Sequence, residues 1–140
     1  MVCPQHQVDS HNDSVDLVMT YIVENESHVV FFMEVKVPAD LETRSGRALA
    51  DAQMRQRYEE VYPDVGHTLH AMSALGTKLC FYTASPPDGM IKPKAIQRDP
   101  YRVNDVAPAG WWSMDVLEAA GEAGLRQVVE ETKSVAQSLK

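Results

Sequence analysis

The chain reads as an α/β protein: a mixed central sheet with flanking helices. Three observations predict it. Short apolar, β-branched runs recur along the chain, and two longer stretches carry apolar residues at helical spacing. One run, His28–Val37 (HVVFFMEVKV), is apolar at nearly every position, so it belongs at the centre of a sheet covered on both faces. Strands and helices alternate in an order that suits stacked layers rather than a sandwich or a bundle. At 140 residues, 44% hydrophobic and 24% charged, the chain has the size and composition of one domain.

The elements follow in order. Residues 1–14 are polar and rich in His, Asp and Asn, and read as an N-terminal arm ahead of a single domain over 15–140. Val15–Val23 is a strand, and Glu24–Ser27 a turn. His28–Val37 is the second strand, and Pro38 ends it. Ser45 caps a helix that reaches Tyr62 before Pro63, with Ala50, Met54, Tyr58 and Val61 as its apolar stripe. Leu69–Ala74 and Lys78–Ala84 form a hairpin around Gly76. Residues 85–110 hold five prolines and make a long irregular connection of the kind that is either functional or laid closely on the surface. Trp112, Met114 and Val116 alternate as a last strand over Trp111–Leu117. A helix over Glu122–Leu139 then carries the stripe Leu125, Val128, Val129, Thr132, Val135, Leu139.

The formal net charge of -7 opposes bulk attraction to nucleic acid. The first helix is locally basic, with Arg44, Arg47, Arg55 and Arg57 against one acid, Asp51. These four arginines are the candidate nucleic-acid contacts, beside the plainer reading of a solvated helix face. No apolar run approaches the roughly 20 residues of a membrane span, so no membrane partner is expected. The first residues lack a basic start and an apolar stretch, and the two cysteines, Cys3 and Cys80, have no metal-ligand spacing. An intracellular protein of nucleus or cytoplasm, not a secreted one, is expected.

Chemistry concentrates in the first two strands. Glu34 and Lys36 are the only charges in an apolar strand, and two residues apart they project from one face. Asp16 interrupts the preceding strand in the same manner. Such charges are costly to bury unless they are paired or bind a metal. A three-residue loop over Glu24–Glu26 puts Asp16 opposite Glu34, with Cβ atoms roughly 5 Å apart. A loop over Asn25–Ser27 puts Asp16 opposite Lys36. A two-residue turn throws Asp16 to the other face unless a bulge corrects it. Two adjacent carboxylates are best tolerated around a divalent cation, and oxygen-only ligands favour Mg²⁺ or Mn²⁺.

Asp16 on one strand, Glu34-Val35-Lys36 on the next and a helix after it resemble the PD-(D/E)XK nuclease superfamily, with its restriction-endonuclease-like core. The helix segment Asp51–Tyr58 (DAQMRQRY) looks like that of restriction-type and recombination-type members. Leu69–Tyr82 is similar to the strand–Gly-turn–strand of the type I restriction motor subunit's nuclease domain. The run from Asp16 to Tyr82 also resembles a group of uncharacterised fungal proteins. The resemblance implies a metal-dependent nuclease that hydrolyses phosphodiester bonds. Asp16 and Glu34 would hold Mg²⁺ or Mn²⁺, Lys36 would position the attacking water, and Gln53 would stand beside them. Gln53 and Tyr58 are five apart where that family writes Gln-x-x-x-Tyr, and Val15 replaces its proline.

Three functional classes follow: a Mg²⁺-dependent nuclease acting on DNA or RNA, a catalytically silent nuclease-fold module that binds protein partners, and a nucleic-acid-binding domain that does not cut. A fourth, plainer reading makes Glu34, Lys36 and Asp16 a structural ion-paired set. The family's first helix and strand have no counterpart before Asp16. The C-terminal strand and helix, or a second copy of the chain in a homodimer, are therefore expected to cover the sheet. His67 and His70 read as strand-edge histidines, and of Trp111 and Trp112 one ring is expected to pack against the last helix.

Overall fold

The computed structural model describes residues 2–11, 14–25, 28–62 and 66–138, with side chains described for 22–24, 28–62 and 66–138. Strands β1 (Val2–His11), β2 (Ser14–Asn25) and β3 (His28–Lys36) form an antiparallel meander. Helix α1 (Arg44–Val61) then crosses over, and β4 (Leu69–Leu75) returns parallel to β3. Strand β5 (Lys78–Ala84) pairs antiparallel with β4. Two short strands share its outer edge: β6 (Ile91–Lys92) pairs with Thr83 and Ala84, and β7 (Met114–Asp115) with Lys78 and Leu79. Helix α2 (Ala119–Ser138) ends the described chain. The mixed sheet thus runs β1-β2-β3-β4-β5-β6, with β7 beside β5.

Alternation along β3 divides the core. Val30, Phe32, Glu34 and Lys36 are buried beneath α1, while Phe31, Met33 and Val35 lie beneath α2. On the first face Phe32 shares a core with Met54 and Tyr58 of α1 and Leu69, Ala71 and Tyr82 of the sheet, with the Phe32 and Tyr58 rings edge-on at 4.8 Å. On the second, Met72, Ala74 and Leu79 pack with Val116 and Leu125. The helix expected at the C-terminus supplies the second cover, and a second copy is not required for it. The strand beyond β2 is β1, however, formed by the polar lead-in itself and not by the C-terminal strand.

Other boundaries moved for local reasons. Helix α1 is capped by Thr43, whose Oγ1 accepts from Gly46 N at 2.9 Å, and not by Ser45. The expected strand over Trp111–Leu117 is mostly a 3-10 turn (Ala109–Trp112) and a two-residue strand. Its alternating residues do not share a face: Trp112 enters the α1 core, where its indole N–H donates to Ser73 Oγ at 3.3 Å, and Val116 joins the α2 core. Trp112 therefore packs under α1 and not against the last helix. Gly76 adopts φ 63°, and its N–H donates to Lys36 O at 3.0 Å, tying the β4–β5 turn to the end of β3. A Cβ there would fall 2.7 Å from Pro38 Cγ, so glycine is also needed for close approach.

Candidate functional site

The buried polar residues sit at the end of β3 and on the helix above it. Glu34 is 4% exposed and Lys36 5%, side by side under α1 as their spacing required. Arg57 reaches Glu34 with Nε 3.5 Å from Oε1 and also donates to Glu60 Oε2 at 2.9 Å. Lys36 Nζ lies 3.7 Å from Asp40 Oδ2, from the 3-10 turn Pro38–Glu42 that follows the strand. Gln53 stands one helical turn before Arg57 on the same side of α1. Glu34 and Asp40 thus face Lys36 and Arg57 in a buried cluster, with the more exposed Glu60 sharing Arg57 at its rim. Its hydrogen bonding is incomplete: Lys36 Nζ, Gln53 Oε1 and Arg57 Nε are buried without a hydrogen-bond partner among the described residues.

Asp16 does not join this cluster through the backbone. Thr20, not Asp16, is the partner of Glu34, because the strands close at Asn25 and His28 and a bulge at Val23/Glu24 shifts the register once more. None of the loops weighed from the sequence gives this register. Asp16 pairs with Asp9 of β1, four residues along β2 from Thr20, or roughly 13 Å of strand. The Asp16 side chain lies outside the described residues. Two carboxylates on one Mg²⁺ bring their oxygens within about 4 Å of each other, a separation this register does not favour. Among the described residues, no group of three His, Cys, Asp or Glu is disposed to hold a metal ion.

A second network lies on the same face, between α1 and β5. Tyr82 donates to Asp51 Oδ1 at 2.7 Å, and Arg55 Nε donates to Asp51 Oδ2 at 2.9 Å. Arg55 also donates to Pro93 O at 2.8 Å and lies over the rings of Tyr82 and Trp111. Burial pushes the Tyr82 and Tyr58 hydroxyls far above the ordinary phenol range, and Tyr58 donates to Leu69 O at 2.9 Å. Burial likewise pushes the Cys80 thiol up to about 12. Arg47, 8% exposed, donates to Leu41 O, Ala107 O and Asp105, binding the long connection onto α1.

The α1 arginines consequently make no common basic face. Arg47, Arg55 and Arg57 serve internal partners, and Arg44 is exposed, with no ion pair among the described residues. Sequence reasoning missed Asp40 and Tyr82. Asp51 stood out only as the one acid among the helix arginines; its burial was detectable, since it falls four residues after Arg47 and one after Ala50, inside the buried stripe. His67 Nε2 lies 3.0 Å from Val29 O and His70 Nε2 3.3 Å from Glu131 Oε2, so each histidine has a local partner. No helix among the described residues is long and apolar enough to cross a membrane.

The fold and the cluster define a mixed α/β protein with buried charge at the end of its central strand. No protein-family model, curated protein or solved structure matches the chain.

Proposed function

We propose that this chain is a catalytically silent nuclease-fold module that binds a protein partner, with Glu34 and Lys36 serving as members of an internal ion-paired cluster. The observation that carries the reading is the Arg57 guanidinium on Glu34. A cation already occupies the carboxylate that the nuclease reading assigns to metal. The order Asp strand, Glu-x-Lys strand, crossover helix, parallel strand supports the nuclease-like fold. The net charge of -7 favours a protein partner over nucleic acid.

The Mg²⁺- or Mn²⁺-dependent nuclease is the second reading, favoured by the hydrogen-bond deficit at Lys36 Nζ, Gln53 Oε1 and Arg57 Nε. As the residues stand, they do not fit the ion: Arg57 would have to leave Glu34 for Glu60, and a second oxygen donor would have to come from elsewhere. Incubation of the chain with single- and double-stranded DNA and RNA, with Mn²⁺, Mg²⁺ or chelator, separates the readings. The silent module leaves every substrate intact. Metal-dependent cleavage that disappears in Glu34→Ala and Lys36→Ala, with folding preserved, would establish the nuclease instead.

A further inference from the structure

We infer that the groove between the first half of α1 and the 98–106 loop docks an acidic peptide segment bearing apolar side chains, supplied by a partner protein. The inference rests on the interaction-module reading and names its surface and ligand chemistry. The groove encloses about 460 Å³, with Leu49, Val103 and Val106 among its apolar lining and Arg44 and Arg98 beside them. Leu49 is 41% exposed and Val103 85%, so apolar surface lies open where α1 begins.

Charge selects the occupant. Of the described arginines, Arg47, Arg55, Arg57 and Arg126 are each ion-paired. Arg44, Arg98 and Arg102 are exposed and have no ion pair among the described residues. Two of these three line the groove, and the third belongs to the same loop. The N-terminal end of α1 adds the positive end of its dipole there. On a chain of net charge -7 this is a local site for anionic groups. A phosphodiester backbone would match the arginines but leave the apolar lining wet. Leucine- or valine-type side chains flanked by Asp or Glu satisfy both.

The groove is also held in shape before binding. Asn104 accepts from Asp99 N and donates to Gln97 O, closing the loop on itself. Arg47 fixes the loop's end through Asp105 and Ala107. The loop therefore needs little reordering to receive a ligand, and the cost falls on the exposed side chains.

The test uses the whole chain and a fluorescein-labelled peptide of about 15 residues with Leu at helical spacing and Glu between. A Gln-for-Glu peptide and labelled oligo-dT serve as comparisons. Anisotropy should report saturable binding of the acidic peptide, weakened about tenfold or more by Arg44→Glu with Arg98→Glu and by added salt. Leu49→Ser with Val103→Ser should weaken it as well. All four positions are exposed, and unchanged thermal melts will verify folding. Absence of saturable binding, indifference to these variants, equal affinity for the Gln peptide, or tighter binding of oligo-dT lost in the same variants would each overturn the proposal. The cleavage assay on the same preparations keeps the two readings apart. Metal-dependent cleavage overturns the silent module, and with it the reading on which this proposal rests. Neither cleavage nor peptide binding overturns the groove alone.

Discussion

Replacing Arg57 with methionine removes the guanidinium that faces Glu34 while keeping much of the aliphatic stem. At 3.5 Å the attraction is about 4–5 kcal/mol at an effective dielectric near 20. Arg57 is shared with Glu60, and its Nε makes no hydrogen bond, so the net effect is smaller. The Glu34 side chain, 5% exposed, would retain its burial cost without this cation. An expected loss of about 3 kcal/mol follows, at the low end for breaking a buried pair. For a chain of this size that is about 10 °C in Tm. Glu34→Gln in the Arg57→Met background should recover more than half of it, because the neutral amide no longer needs the cation. Urea unfolding of the four members of this cycle measures the coupling directly. Additivity within about 0.5 kcal/mol would refute the ion-paired cluster, as would an Arg57→Met variant more stable than the parent.

Three further outcomes follow from the geometry. Tyr82→Phe leaves Asp51 with Arg55 alone and should cost about 1.5–3 kcal/mol in urea melts, with Asp51→Asn costing at least as much. Asp115 has its carboxyl held below the ordinary value of 3.8, chiefly by the backbone N–H of Leu117 and further by Thr77 and Lys78. A depressed folded-state value contributes stability above the unfolded value that is lost as pH falls through the folded one, so the gap between the parent and Asp115→Asn should close on acidification below about pH 4. Cys80, with its thiol pushed up to about 12, stays protonated and buried at neutral pH. In a Cys3→Ser background, a thiol reagent should label it only at the rate of unfolding, which stopped-flow denaturation measures.

Much of this architecture is legible in the sequence where one physical signal dominates. The run HVVFFMEVKV has too little polarity to lie at an edge, and β3 is indeed flanked by β2 and β4 and covered by both helices. The stripe Ala50, Met54, Tyr58 set the inward side of α1 correctly. Registry was not legible. It depended on a bulge between Val23 and Glu24, and one such shift changes every residue that faces Glu34. The partners of the α1 arginines were only partly legible, because charge count does not say which acids or carbonyls lie within reach. Three of them, Asp105, Ala107 and Pro93, come from a connection whose path no periodicity encodes. Trp112 misled because alternation over three residues resembles a strand even where Pro108 and Gly110 bring in a turn.

The binding of residues 93–112 onto α1 has a consequence for the order in which the chain can mature. Arg47 waits for acceptors 58 and 60 positions later, and Ser73 for an indole 39 positions later. A ribosome adding roughly 5–20 residues per second leaves the underside of α1 unsealed for several seconds after the helix has emerged. During that interval Met54 and Tyr58 lack their full cover, and Arg47 has only its local carbonyl, Leu41 O. Nascent chains halted near residue 100 should therefore be prone to stick to chaperones, the α1 face sealing with the arrival of Trp112 and the opposite face only with that of α2.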